Sequence, residues 1–184
     1  MKSGSIEMYE SVFHNMERIE SMDEFFCVLD IPPLPYGGYA GMSYSLKQEG
    51  VEVTEWGEQV LSYTSKYWEP GVTVLVVVNT EGMDLTIGKK CPDLETQVAR
   101  WANENGLSSC PFGTAPTLCF ELHEGKVVYE GRLIVSSPPA PCYFLDCGGP
   151  GYPAVHYIDF YKGKIGLGGG VPVSKGFDIL FALK

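Results

Sequence analysis

The sequence predicts a single α+β domain over residues 1–184, with an antiparallel or mixed β-sheet and helices packed on one side. Three observations carry that expectation. Several stretches repeat apolar residues at spacings of three and four, the period of an amphipathic helix. VTVLVVV, residues 72–78, is β-branched and continuously apolar, the composition of a strand covered on both faces. Later segments of strand composition follow one another across tight turns at Glu-Gly and Lys-Gly pairs, the pattern of antiparallel neighbours. A length of 184 residues suits one domain, and no shift in composition divides it.

The elements follow in chain order. Ile6, Tyr9, Phe13, Met16 and Ile19 form one apolar stripe, so residues 5–20 read as a helix. Ser21 and Glu24 make a capping box ahead of FFCVL, and a second short helix is expected to stop before Pro32 and Pro33, closing an N-terminal helical segment over 1–30. IPPLPYGGYAG reads as a loop, and MSYSL as a short strand. Thr54 is a fitting N-cap, with Glu55 and Glu58 in the positive first turn. The helix it opens carries Trp56, Val60, Leu61, Tyr63, Tyr67 and Trp68, and Pro70-Gly71 ends it.

After VTVLVVV, a turn at Glu81-Gly82 leads into DLTIG, and Asp93 opens a helix over LETQVARWANEN that Gly106 stops. TLCFEL and KVVYEGRLIV, joined by His123-Glu124-Gly125, read as a β-hairpin. Residues 139–184 form a Gly/Pro-rich β segment. Within it AVHYIDFY alternates, with Val155, Tyr157, Asp159 and Tyr161 on one face and His156, Ile158 and Phe160 on the other. A turn at Lys162-Gly163, KIGLGGG and a final strand FDILFAL complete the chain.

Thirteen Lys and Arg against 23 Asp and Glu give a formal net charge of −10. That field repels a phosphate backbone and an anionic membrane surface, so neither nucleic acid nor membrane is an expected partner. It favours a cationic small molecule or a basic protein. The opening MKSGSIEMYE is no secretory leader, no apolar run reaches bilayer length, and a cytoplasmic home follows as the expectation. The six cysteines are then expected as reduced thiols, with Cys27 and Cys119 in apolar runs acting as small core hydrophobes.

Four kinds of chemistry bear on these residues. A cysteine nucleophile needs a base. His156 is the candidate, with Asp159 to orient it and Cys91 or Cys147 as the thiol. Cys91 precedes the Asp93 helix beside Lys89 and Lys90, where a thiolate is stabilised. Cys142, Cys147 and His156 lack the paired spacing of a structural zinc site, so no metal is expected, and no cofactor. The glycines of CGGPG and GLGGG lack a strand–Gly–helix setting and read as turns or close backbone approach. Eleven Tyr, nine Phe and three Trp beside scattered carboxylates suit a pocket for a lipophilic cation.

Residues 72–138 supply a more particular pointer. A strand, then QVARWANENGL, TLCFEL and YEGRLIVSSP, with Trp101, Asn105, Gly106, Glu130 and Pro138, resembles the second half of the gyrase-inhibitor-like small-molecule effector-binding domains. The resemblance implies that Glu130 is a pocket carboxylate facing cationic ligands. The leading expectation is therefore a small-molecule-binding domain with an aromatic, carboxylate-bearing pocket built from Trp56, Tyr67, Trp101, Tyr129 and Glu130. The alternatives are a Cys/His-dependent, amidase-like hydrolase and an acidic inhibitor or immunity-type protein that masks a basic partner.

Overall fold

A computed structural model describes residues 25–83, 94–137, 140–142, 152–170 and 177–184. The helix expected over 5–20, the DLTIG strand, Cys91, Cys147 and the CGGPG turn lie outside the described residues. Among the described residues nine strands run β1 (Phe25–Ile31), β2 (Glu52–Val53), β3 (Gly71–Asn79), β4 (Leu107–Ser108), β5 (Gly131–Val135), β6 (Ala140–Cys142), β7 (Tyr152–Tyr161), β8 (Lys164–Gly170) and β9 (Asp178–Leu183). Four α-helices accompany them among the described residues: α1 (Gly38–Gln48), α2 (Glu55–Thr64), α3 (Leu94–Glu104) and α4 (Thr114–His123). This is the α+β class that the composition and periodicity predict.

The sheet is mixed. Its strand order is β1-β3-β9-β5-β7-β8-β2, with β4 added to β9 and β6 to β7. Two pairs are parallel, β2 with β8 and β5 with β9, and the others are antiparallel. β3 lies between β1 and β9 and is covered on both faces, as its unbroken apolar run requires. Leu75 joins the larger core with Leu133, Ile158, Leu167 and Leu180. Met42 and Leu46 of α1, Leu61 of α2, and Leu118 and Leu122 of α4 pack on that side. Val74, Val76 and Val78 face the other way with Ile179 and Phe181, and there Val98 and Ala102 of α3 cover the sheet. Three described helices thus share one side of the sheet, and α3 takes the other.

Three segments depart from the sequence expectation. FFCVL is strand β1 and not a helix. Cys27, Leu29 and Ile31 are buried while Val28 and Asp30 are exposed, the alternation of a half-covered strand beside β3. MSYSL lies within helix α1, where Met42, Ser43 and Leu46 turn inward at helical spacing. TLCFEL is helix α4 and not the first arm of a hairpin. Every residue from Thr114 to Cys119 is buried, so no polar stripe marks a helical period. Pro116 sits in the first turn, where a missing N–H costs nothing, and the His123-Glu124-Gly125 stretch ends the helix with Gly125 at φ +70.

Other expectations match. Thr54 caps α2, its hydroxyl accepting the Gly57 N–H at 3.1 Å, with Glu55 and Glu58 in the first turn. Asn105 and Gly106 stop α3, where Gly106 takes φ +73 and the Asn105 amide donates to the Trp101 carbonyl at 2.8 Å. Lys162 and Gly163, both at positive φ, turn β7 into β8, as a two-residue hairpin demands.

Candidate functional site

The position of α2 follows from glycines on β8. A Cβ at Gly57 would stand 2.4 Å from the Leu167 carbonyl oxygen, and one at Gly169 would stand 2.7 Å from the Trp56 carbonyl oxygen. The helix and the strand therefore meet backbone to backbone. On the other side of β8, the Tyr157 ring fills the space that a side chain at Gly168 would need. GLGGG is thus a packing surface of close approach.

His156 lies on β7 opposite Gly169, beneath this contact. It is 3% exposed, and its Nε2 has no hydrogen-bond partner among the described residues. Burial holds the imidazole neutral, pushing its pKa down to about 4, and a backbone hydrogen bond with Gly57 opposes that shift only in part. Asp159 does not orient this ring. It points to the opposite face of β7, where Arg132 grips it through Nε at 2.6 Å and a terminal nitrogen at 2.8 Å. The same guanidinium lies 4.5 Å above the Tyr157 ring. The described thiols are Cys27, Cys110 and Cys119, all buried and unbridged. Burial raises the Cys27 thiol to about 12 and raises those of Cys110 and Cys119 as well, so none is a thiolate near neutrality.

The five residues expected to share a pocket are dispersed. Trp56 and Tyr67 are exposed near the two ends of the α2 segment. Trp101 packs against the core on the other side of the sheet, the α3 side. Tyr129 meets Phe26 edge-on, with centroids 5.9 Å apart, and its hydroxyl donates to Asp178 at 2.6 Å. Burial, then the Asp178 carboxylate, raises its pKa. Glu130 is exposed in the stretch before β5, on no hairpin, and lines no part of the groove described next.

That groove lies between α1 and the outward face of α2. It is open, about 630 Å3 in volume, and lined by Tyr39, Glu55, Glu58, Gln59, Ser62, Tyr63 and Lys66. The volume is ordinary for a small-molecule site, commonly about 300–1,000 Å3. Two tyrosine rings and two carboxylates meet here beside Lys66, the ring and carboxylate types expected of the pocket, and none of the five expected residues is among them. Glu58 is already engaged: Ser43 donates to it at 2.6 Å, and Lys47 pairs with it. Partial burial works against its charge, but these two hydrogen bonds outweigh it and lower the pKa. Glu55 makes no ion pair among the described residues and faces solvent at the first turn.

Sequence reasoning named Glu55 and Glu58 as parts of a helix but not as a site, and Tyr63 as one of the rings of an aromatic helix suited to a pocket. It missed Tyr39 because the segment that carries it reads as a loop. Its signal would have been the pairing of Lys47 and Glu58 across two neighbouring helices, which only the α1 reading makes visible. Among the described residues no group of three or more His, Cys, Asp or Glu side chains is arranged to hold a metal ion. No helix of the described residues is long and apolar enough to cross a membrane. Comparison with family models, with curated proteins and with solved structures returns no match.

Proposed function

We propose that this chain is a ligand-binding protein whose α1–α2 groove receives the cationic group of an organic molecule. One observation carries the reading: Tyr39 and Tyr63 line the same open groove as Glu55 and Glu58. A cation over a tyrosine face gains about 0.5–1 kcal/mol at an exposed site, and a nearby carboxylate adds Coulomb attraction. The chain's net charge of −10 raises the local concentration of any such ligand. This keeps the cationic-ligand class implied by the resemblance to effector-binding domains and moves the site from Glu130 to α2. The reading includes a cytoplasmic location, which suits three buried, unbridged thiols. Hydrolysis by a Cys/His pair gains no support from a histidine that is sealed in the core and separated from Asp159 by the thickness of a strand.

Calorimetric titration with benzyltrimethylammonium tests the proposal. Saturable binding is expected, weakening about two- to fivefold in Glu55→Gln and in Tyr63→Leu, the loss of one exposed charge or ring contact. The affinity should also fall as salt rises. Absence of saturable heat, or an affinity indifferent to both substitutions, sinks the reading.

A further inference from the structure

The charged side chains of the groove are not equally free to meet a ligand. Glu58 accepts from Ser43 and pairs with Lys47, so its charge is met from within the chain. Glu55 and Lys66 line the same groove and are exposed, and neither makes an ion pair among the described residues. Glu55 is the first residue of α2, and Lys66 lies in the 3-10 turn Ser65–Tyr67 that prolongs it. About three helical turns, or roughly 16 Å at 1.5 Å per residue, separate them along the axis, too far for the two to pair with each other. Gln59 and Ser62 fall between them at steps of three and four, so the four residues form one stripe along the groove. Once Glu58 and Lys47 cancel, the groove has no overall sign. It has a negative end, a positive end and polar groups between them.

We infer that the groove takes a linear zwitterion of peptide character, its ammonium group against Glu55 and its carboxylate against Lys66. A short peptide with free termini has this chemistry. The inference rests on the groove reading and adds a second, anionic group to the cationic one. A purely cationic ligand long enough to reach Lys66 is repelled there, and a purely anionic one is repelled by Glu55. A single contact with an exposed charge is weak and screened by salt. When one body carries both charges, the second contact becomes intramolecular, and the length of that body sets its effective concentration. A body that is too short makes one contact only. Four or five extended residues reach at most about 13–18 Å, the span between the two ends of the stripe. Gln59 offers an amide donor and acceptor and Ser62 a hydroxyl, the complements of peptide groups, which a plain alkyl body would leave to water. Tyr39 and Tyr63 line the same space, and the Tyr63 ring is braced by Tyr67, with centroids 5.3 Å apart.

Calorimetric titration of the full chain at low salt tests this. The probes are the tetrapeptide Ala-Ser-Ser-Ala with free termini, its C-terminal amide, its N-acetyl form and the dipeptide Ala-Ala. Benzyltrimethylammonium is titrated in a separate arm. The free tetrapeptide is expected to bind saturably, and each blocked form and the dipeptide about two- to fivefold more weakly, the loss of one exposed charge contact. Lys66→Gln should weaken the free tetrapeptide by a similar factor. The same substitution should tighten benzyltrimethylammonium by up to about twofold, because a like charge is removed. Opposite signs for the two probes are a result that damage to the helix would not give. If the amide binds as well as the free acid, or Lys66→Gln leaves the tetrapeptide unaffected, the zwitterion inference is overturned while saturable binding of the cation keeps the groove reading. If neither the peptides nor the cation bind, both are overturned.

Discussion

Helix α2 has two faces under opposite constraints. Its inner face is closed: Gly57 touches the Leu167 carbonyl, Gly169 touches the Trp56 carbonyl, and His156 is sealed beneath, its Nε2 without a partner among the described residues. Its outer face is open: Glu55, Gln59, Ser62 and Tyr63 line a groove in contact with solvent. The contrast separates residues that hold the helix from residues that can hold a ligand. The hydrolase alternative placed its chemistry at His156, yet that histidine lies on the buried side, where a polar group serves packing. The ordinary-looking carboxylates of the first turn are the ones a ligand can reach.

The inner face should break first. Gly57→Ala replaces the poorer helix former, which alone would gain about 1 kcal/mol, yet its Cβ meets backbone that cannot step aside. Urea unfolding should show a net loss of about 1–3 kcal/mol, the usual cost of overpacking. A stabilised variant would mean that α2 does not sit on β8 as described.

Acid should act on the same face. The folded state keeps His156 neutral down to about pH 4, whereas the unfolded chain takes a proton near its ordinary 6.5. The unfolded state therefore binds more protons in that window, and stability falls as pH falls through it. The size is roughly 3 kcal/mol at 1.36 kcal/mol per pKa unit. His156→Leu should flatten this part of the stability–pH curve, and an unchanged slope would show that the ring is not buried neutral. Loss of the cap in Thr54→Ala comes next, at about 1 kcal/mol in the same unfolding assay. The smallest effect belongs to the outer face. Lys47→Met removes a solvent-exposed pair with Glu58 and should cost under about 1 kcal/mol, less still at high salt. A cost approaching that of Gly57→Ala would erase the distinction between the two faces.

The sheet was more legible than the helices that build the groove. β3 announced itself through an unbroken β-branched run, and the β7–β8 hairpin through alternation and the Lys162-Gly163 turn. α3 did so through its stripe and the Asn105-Gly106 stop. α4 was hidden because it is buried nearly all round, which removes the polar face that reveals a helical period. α1 was hidden by its glycines and by the alternation of Met42, Tyr44 and Leu46, which mimics a strand. Gly41 is required there, since a Cβ would lie 2.3 Å from the Tyr36 carbonyl oxygen. Without α1 the groove has only one wall, so Tyr39, Ser43 and Lys47 could not be set against Glu58. Trp101, Tyr129 and Glu130 stood together in a sequence argument that assumed a hairpin. With α4 in its place, the sheet separates Trp101 from Tyr129, and Glu130 is exposed ahead of β5.

The most direct test of the central claim is an NMR titration of the isotopically labelled protein with benzyltrimethylammonium. Saturable shifts are expected on the amides of Tyr39 and of Glu55 through Lys66, with the β5 and α3 amides still. Shifts centred on Trp101 or Glu130 instead, or no saturable shift anywhere, would contradict it.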